Sequence, residues 1–444
     1  MKLLPFVKKN GVLGLGVVGA FTFVHGFLFM YYAQWLVLGF DSGFYRRYLL
    51  EPLSSIPHAS VPGLDHTVII PRVWLDLFRL SGLSTDVVLY LSYVAACAFL
   101  FSGLFFFVRS RSTTSIAVIT IVLVLFSPVY IHGYWFFLYK NILAVGILFW
   151  LLYCLQRRFY AGAFLLVCLI PITHQSTTIF AGILLFLLAI FEFWHRRAGA
   201  VFLGLWFVLT SIYLLYHPTI VSKIVTPPTA LFLTPGEFIL MTWPLFLMLS
   251  YLATSVWILL RRDALLLCAL GLSAVWMIGS FPYAERMGFF VIFFLAITAA
   301  TVLSKHVTSS VYLALGLSFY AVYGTYFLFE HKPYFDTSTE MQLESLDSVP
   351  RSASVLTTNY LASTVQGYTT ATVYAPGLFK DPAPPVAWEF YWSHQSENYD
   401  RAFLASFPAP LYLFIPPADA GRFLPVQTCL TKQSQYLYQY ICTD

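Results

Sequence analysis

Long apolar runs, cut at intervals by basic residues, limit what this chain can become more than any other feature. Lys2/Lys8/Lys9, Arg109/Arg111, Arg157/Arg158, Arg196/Arg197, Arg261/Arg262 and Lys305 divide the first 330 residues into five apolar hairpins and one last span. A spanning helix needs about 20 apolar residues, and basic loops are retained on the cytoplasmic side. The pattern therefore predicts helices that cross a membrane in pairs, with every basic cluster on one face. Only 10% of the residues are charged and 59% are hydrophobic, whereas a soluble domain carries about 25% charge, so a soluble globular fold is excluded. The net charge of +5 comes largely from these clusters. It reports topology and gives no reason to expect nucleic acid as a partner.

The first apolar run exceeds the roughly 7 to 15 residues of a signal-peptide core and is read as a retained span. Spans are expected at about 12–38, 86–108, 115–131, 137–155, 160–173, 176–194, 199–216, 237–260, 264–280, 288–304 and 307–329. That is an α-helical polytopic membrane protein of about eleven helices, with the N-terminus cytoplasmic and the C-terminus extracytoplasmic. Its short loops fit a prokaryotic plasma membrane. One long helix between Arg158 and His195 would put two basic pairs on opposite faces. Two short helices turning near Pro171 and His174 are preferred, with the turn inside the membrane's thickness, where irregular backbone must be buried by protein or lined by water.

Composition shifts after Glu330, so the chain divides into 1–330, the membrane domain, and 331–444, a small extracytoplasmic α/β domain. Strands are expected at 354–357, 370–374, 411–415 and 436–442, and helices at 360–368 and 397–407. Cys429 and Cys442 fall on the outer face, where disulfides are permitted. Joining them would contribute about 3 kcal/mol in a chain-entropy account; two free thiols are the alternative.

The hairpin tips share the outer face, and there the polar residues gather. Asp41 follows the first span in Gly39-Phe40-Asp41-Ser42, where it can cap the next helix or serve as a rigidly mounted general base. Asp65 and His66, later in the same loop, fit either a loop turn or acceptor contacts. His174, in Thr173-His174-Gln175-Ser176-Thr177-Thr178, lies at membrane depth, where polar groups face a cavity or a partner. Arg286 offers a rigid fork of donors matching phosphate oxygens, unless it pairs with Glu285 beside it. Lys140 is a second candidate cation, with Tyr139 next to it. Tyr139 and Glu285 join Asp65 and His66 as candidate acceptor or sugar contacts.

The sequence carries no Gly-rich phosphate loop, no metal-ligand spacing and no Gly-x-Ser-x-Gly elbow. No cofactor or divalent metal is expected. The cytoplasmic loops are too short to hold a nucleotide-sugar domain, so a substrate activated inside the cell must arrive on lipid.

At this point the chain resembles the GT-C superfamily of polyprenyl-phosphate-sugar glycosyltransferases, protein O-mannosyltransferases among them. The likeness rests on Gly39-Phe40-Asp41 after the first span, the long first outer loop, the Thr173 to Thr178 turn between short helices, and Tyr283-Ala284-Glu285-Arg286 heading a late span. The resemblance implies that Asp41 is the catalytic base of an inverting transfer from a polyprenyl- or dolichyl-phosphate sugar. It also implies that Arg286, with His174 or Lys140, holds the donor phosphate. The oligosaccharyltransferase branch has an Asp-x-Asp metal motif that is absent here, which implies a metal-independent monosaccharide transferase. The paired Asp-Glu of the O-mannosyltransferase branch is absent too, since Ser42 follows Asp41, and the acceptor stays open among glycan, lipid and protein. Two other readings are an O-antigen ligase or polymerase, whose functional residues gather in a late outer loop, and a lipid flippase or transporter, whose polar residues line a path through the spans.

Overall fold

The computed structural model describes residues 14, 16–26, 41–50, 69–135, 138–191, 196–217, 234–279, 284–306, 310–330, 337–376, 385–393, 396–419 and 427–442. Within the first expected span, α1 covers Gly16–Gly26. The first long loop then contributes two short helices, α2 (Ser42–Leu50) and α3 (Ile69–Arg79). The bundle continues with α4 (Thr85–Arg111), α5 (Thr114–Leu125), α6 (Pro128–Trp135), α7 (Tyr139–Gln156), α8 (Tyr160–Leu169), α9 (Gln175–Phe191) and α10 (Arg196–Tyr216). It closes with α11 (Pro235–Tyr251), α12 (Ala253–Arg262), α13 (Ala264–Ile278), α14 (Ala284–His306) and α15 (Ser310–Glu330). The fold is that of a polytopic membrane protein. Among the described residues α4, α7, 199–216 of α10 and 286–305 of α14 are each long and apolar enough to cross a membrane.

Two expected spans are not single helices. Residues 115–131 divide into α5 and α6, bent by 57°. Pro128, the first residue of α6, has no N–H to continue the ladder; the Ser127 N–H instead closes a tighter turn on the Val124 carbonyl at 3.0 Å. Residues 237–260 divide into α11 and α12, bent by 89°. The 17 residues of α11 already span about 25 Å, so α12 need not go deeper. It carries Trp257 and Arg261, whose guanidinium lies 5.7 Å from the indole, the pairing of an interface-lying segment. Thr234 and Glu237 close a capping box at the start of α11.

The pair α8 and α9 turns at Pro171 to His174, as the charge pattern led us to expect. The 10 residues of α8 cover about 15 Å, half the thickness of the bilayer core. Backbone groups of the turn find partners inside the protein: the Ile70 N–H donates to the Ile172 carbonyl at 3.2 Å, and His217 Nε2 lies 3.3 Å from the Pro171 carbonyl.

The basic ends of α4 and α12 meet at one end of the bundle. Arg111, closing α4, pairs with Asp263 at 2.7 Å, and Arg111, Gln156, Arg262 and Asp263 line one cleft. Lys140 sits at the opposite end of α7 from Gln156, so the 18 residues of that helix separate this cleft from the site below by about 27 Å.

Beyond α15 the chain forms α16 (Thr337–Leu343), α17 (Ala362–Tyr368), α18 (Pro385–Ser393) and α19 (Glu397–Ala405) around a five-stranded sheet of order β2-β1-β3-β5-β4. The strands are β1 (Ser354–Thr357), β2 (Thr372–Tyr374), β3 (Leu411–Phe414), β4 (Leu430–Lys432) and β5 (Leu437–Tyr440). Strand β1 runs parallel to both β2 and β3, whereas β5 is antiparallel to β3 and β4. A disulfide joins Cys429 to Cys442. Strand β4 and helices α16 and α18 were not anticipated; three exposed-edge residues such as Leu430–Lys432 carry too little alternation to be recognised.

Candidate active site

Asp41 immediately precedes α2, and its carbonyl accepts the Phe44 N–H at 3.2 Å. Four helical residues later on the same face stands Tyr45, buried and packed edge to face on Tyr139 with ring centroids 5.0 Å apart. This contact carries α2 onto the first turn of α7, and with it Asp41 onto Lys140. The positive charges of Lys140 and Arg286 both act on the Asp41 carboxylate. Three segments remote in sequence thus deliver an acid and two cations to one place.

Burial pushes the Asp41 carboxyl above the ordinary carboxylate range, and Lys140 and Arg286 pull against that shift. Burial and the Asp41 charge push the Tyr45 hydroxyl upward in turn. Asp41, Lys140, His174 and Arg286 each keep part of their surface open, although Ser42, Tyr45, Tyr139, Thr173, Ser176 and Thr177 around them are buried.

His174 enters from the membrane-depth turn. Lys140, Arg286 and His217 all act electrostatically on its ring, so it belongs to the same cluster. Its Nδ1 lies 2.9 Å from Thr177 Oγ1 and 3.2 Å from Ser176 Oγ, and the Thr177 N–H donates to it at 3.4 Å. An amide N–H can only donate, so Nδ1 accepts and a neutral ring carries its hydrogen on Nε2. The ring therefore caps α9 through one nitrogen and has the other as a donor; capping and ligand binding are compatible.

The structure brings together Asp41, Lys140, His174 and Arg286. Tyr139 is fully buried, and its hydroxyl donates to the Pro71 carbonyl at 3.2 Å. Asp65 and His66 lie outside the described residues, as does the side chain of Glu285, whose backbone belongs to the first turn of α14. Among the described residues no three His, Cys, Asp or Glu side chains group as metal ligands. Sequence reasoning missed Tyr45 and His217. The i, i+4 spacing from Asp41 could have found the first; the position of His217 just after α10, level with the other tips, could have found the second.

Away from this cluster an apolar groove of about 530 Å³ runs between α11 and α12 on one side and α13 and α14 on the other. Phe238, Phe246, Trp257, Met277, Val291 and Leu295 are among its walls.

No family model matches the chain, and no curated protein matches it. Solved structures do. ArnT from Cupriavidus metallidurans bound to undecaprenyl phosphate superimposes with a TM-score of 0.59 at 12% identity, covering 98% of each chain. The Archaeoglobus fulgidus oligosaccharyltransferase in its apo form gives a TM-score of 0.60 at 12% identity over 90% of this chain and 69% of that one. The same enzyme tethered to an acceptor peptide containing the NVT sequon gives 0.56 at 11% identity, over 92% and 70%. The chain therefore shares its overall fold with these solved membrane-protein structures.

Proposed function

We propose that this protein is a glycosyltransferase that moves a monosaccharide from a polyprenyl-phosphate donor to an acceptor hydroxyl, on the extracytoplasmic face and with inversion. The observation that supports this reading is the nearness of Lys140 and Arg286 to Asp41, close enough that both charges act on its carboxylate, in a fold shared with ArnT bound to undecaprenyl phosphate.

The chemistry needs one base and one anion clamp. The Asp41 carboxylate takes the proton of the acceptor hydroxyl as that oxygen forms its bond to the anomeric carbon. The bond from the anomeric carbon to the phosphate oxygen breaks on the opposite face, and its electron pair leaves with polyprenyl phosphate. A single displacement inverts the anomeric centre. Arg286 and Lys140, with His174 donating through Nε2, offset the charge that grows on the phosphate. A base whose pKa is lifted toward the working pH takes a proton more readily, which suits the half-buried Asp41. The groove between α11 and α14 offers an apolar seat for an isoprenoid tail, and the bundle of spanning helices keeps such a donor in the membrane.

The test is transfer by purified protein from a panel of polyprenyl-phosphate monosaccharides, followed as release of polyprenyl phosphate. The Asp41→Asn variant should insert and fold normally yet lose transfer. Near-normal transfer by that variant would remove Asp41 as base.

A further inference from the structure

Among cavities, charge clusters and interfaces, the contact between the tail domain and α2 is built most closely. Gly43, two residues after Asp41, faces the backbone of α17 so tightly that a Cβ would overlap the Ser363 carbonyl. The reciprocal position is also glycine: a Cβ on Gly367 would stand 2.8 Å from the Gly43 Cα and 2.9 Å from its carbonyl oxygen. Two backbones can touch in this way only where both side chains are missing.

Further along α2, two consecutive arginines grip the end of α17 and the residues just after it. Arg46 donates to the Gly367 carbonyl at 2.6 Å and stacks on the Tyr368 ring at 3.8 Å. Arg47, nearly buried, donates to the Thr369 carbonyl and, at 2.8 Å, to the Thr370 carbonyl. The last carbonyls of a helix lack partners within it and carry its negative pole; Arg46 meets that need at Gly367, and Arg47 holds the C-cap carbonyl of Thr369 and the next one along. Arg46 also pairs with Asp86 in the first turn of α4 at 2.8 Å, tying the same grip to a membrane helix. Helix α17 is itself fixed, because it is the crossover between the parallel strands β1 and β2.

We infer that the tail domain is the mount of the catalytic loop: α17 clamps α2 through the Gly43 and Gly367 backbones and the Arg46 and Arg47 forks, making both arginines positioning residues for Asp41. Neither guanidinium is assigned any contact with substrate. The inference rests on the reading of Asp41 as base, and on the cost of misplacing a reacting group, about 10²-fold for 1 Å.

Full-length Arg47→Ala and Gly367→Ala variants test it, the first removing a fork and the second wedging the backbones apart with every guanidinium retained. Each should lower kcat about 10²-fold while the donor KM and the Kd for undecaprenyl phosphate stay within about twofold of the parent. Amide exchange should quicken across 42–50 and hold in α7 and α14. Parental kcat in both variants overturns the proposal, as does a parallel loss of kcat and lipid affinity, or unchanged exchange in α2. If Arg47→Ala fails to insert, Gly367→Ala alone decides by the same measures. Asp41→Asn, run alongside, separates the two readings: transfer by that variant removes the base assignment, whereas exchange in α2 still reports whether the clamp exists.

Discussion

Tyr45 and Tyr139 stand edge to face with ring centroids 5.0 Å apart, and this contact joins the helix that follows Asp41 to the helix that carries Lys140. Both rings are essentially closed to solvent, so Tyr45→Ala opens a cavity between α2 and α7. The expected cost is about 3 to 5 kcal/mol, the range for large aromatic truncations, and transfer should fall with it. Tyr45→Phe keeps the ring and should remain within about 1.5 kcal/mol. Thermal unfolding in detergent, read beside turnover, checks both; equal stability of the Ala and Phe variants would mean that the ring contact does not hold α2.

The Asp41 carboxyl sits above the ordinary carboxylate range because burial outweighs the pull of Lys140 and Arg286. A base must be ionised, so kcat/KM should fall as pH drops through this raised value. Removing either cation removes an attraction that favours the carboxylate. Lys140→Ala should therefore move the acid limb of the pH profile to still higher pH. A limb that stays in place, or moves down, would show that Lys140 does not act on the base.

Much of this arrangement was legible before any coordinates. The basic pairs set the parity of the helices, and parity alone put Asp41, Lys140, His174 and Arg286 at one end of the bundle. Hydropathy could not reveal the bends at Pro128 and Leu252, because the apolar run continues through both. That Tyr139 is closed off beside a partly open Lys140 has a simpler reason. Neighbours on a helix point about 100° apart, so Lys140 can stay partly open while Tyr139 packs inward. The grip of Arg46 on Gly367 and of Arg47 on Thr369 and Thr370 joins residues with no local signal in common; it depends on two glycines whose only property is what they lack.

Arg286 is proposed to hold the donor phosphate with a planar fork, a geometry that Lys cannot reproduce. Arg286→Ala should cut transfer about 10² to 10³-fold, the usual cost of losing one contact to developing charge. Arg286→Lys should recover only part of that loss. Titration with undecaprenyl phosphate separates ground-state from transition-state effects: a kcat loss with unchanged Kd assigns Arg286 to the charge that develops as the phosphate leaves. Parental turnover in Arg286→Ala would transfer the clamp to Lys140 and His174.

The groove bounded by Phe238, Trp257, Met277 and Leu295 is open enough to be filled from within. Ala274 lies in its wall, and Ala274→Trp would occupy the space an isoprenoid tail needs without touching the charged cluster. Each buried CH₂ contributes about 0.8 kcal/mol, so the loss should grow with tail length. The donor KM is expected to rise about tenfold or more for a long polyprenyl chain and little for a phosphate sugar on a two-isoprene tail, with kcat at saturation preserved. Equal KM shifts for both donors would place the tail elsewhere, since only a groove that holds the distal isoprenes can tell the two lengths apart.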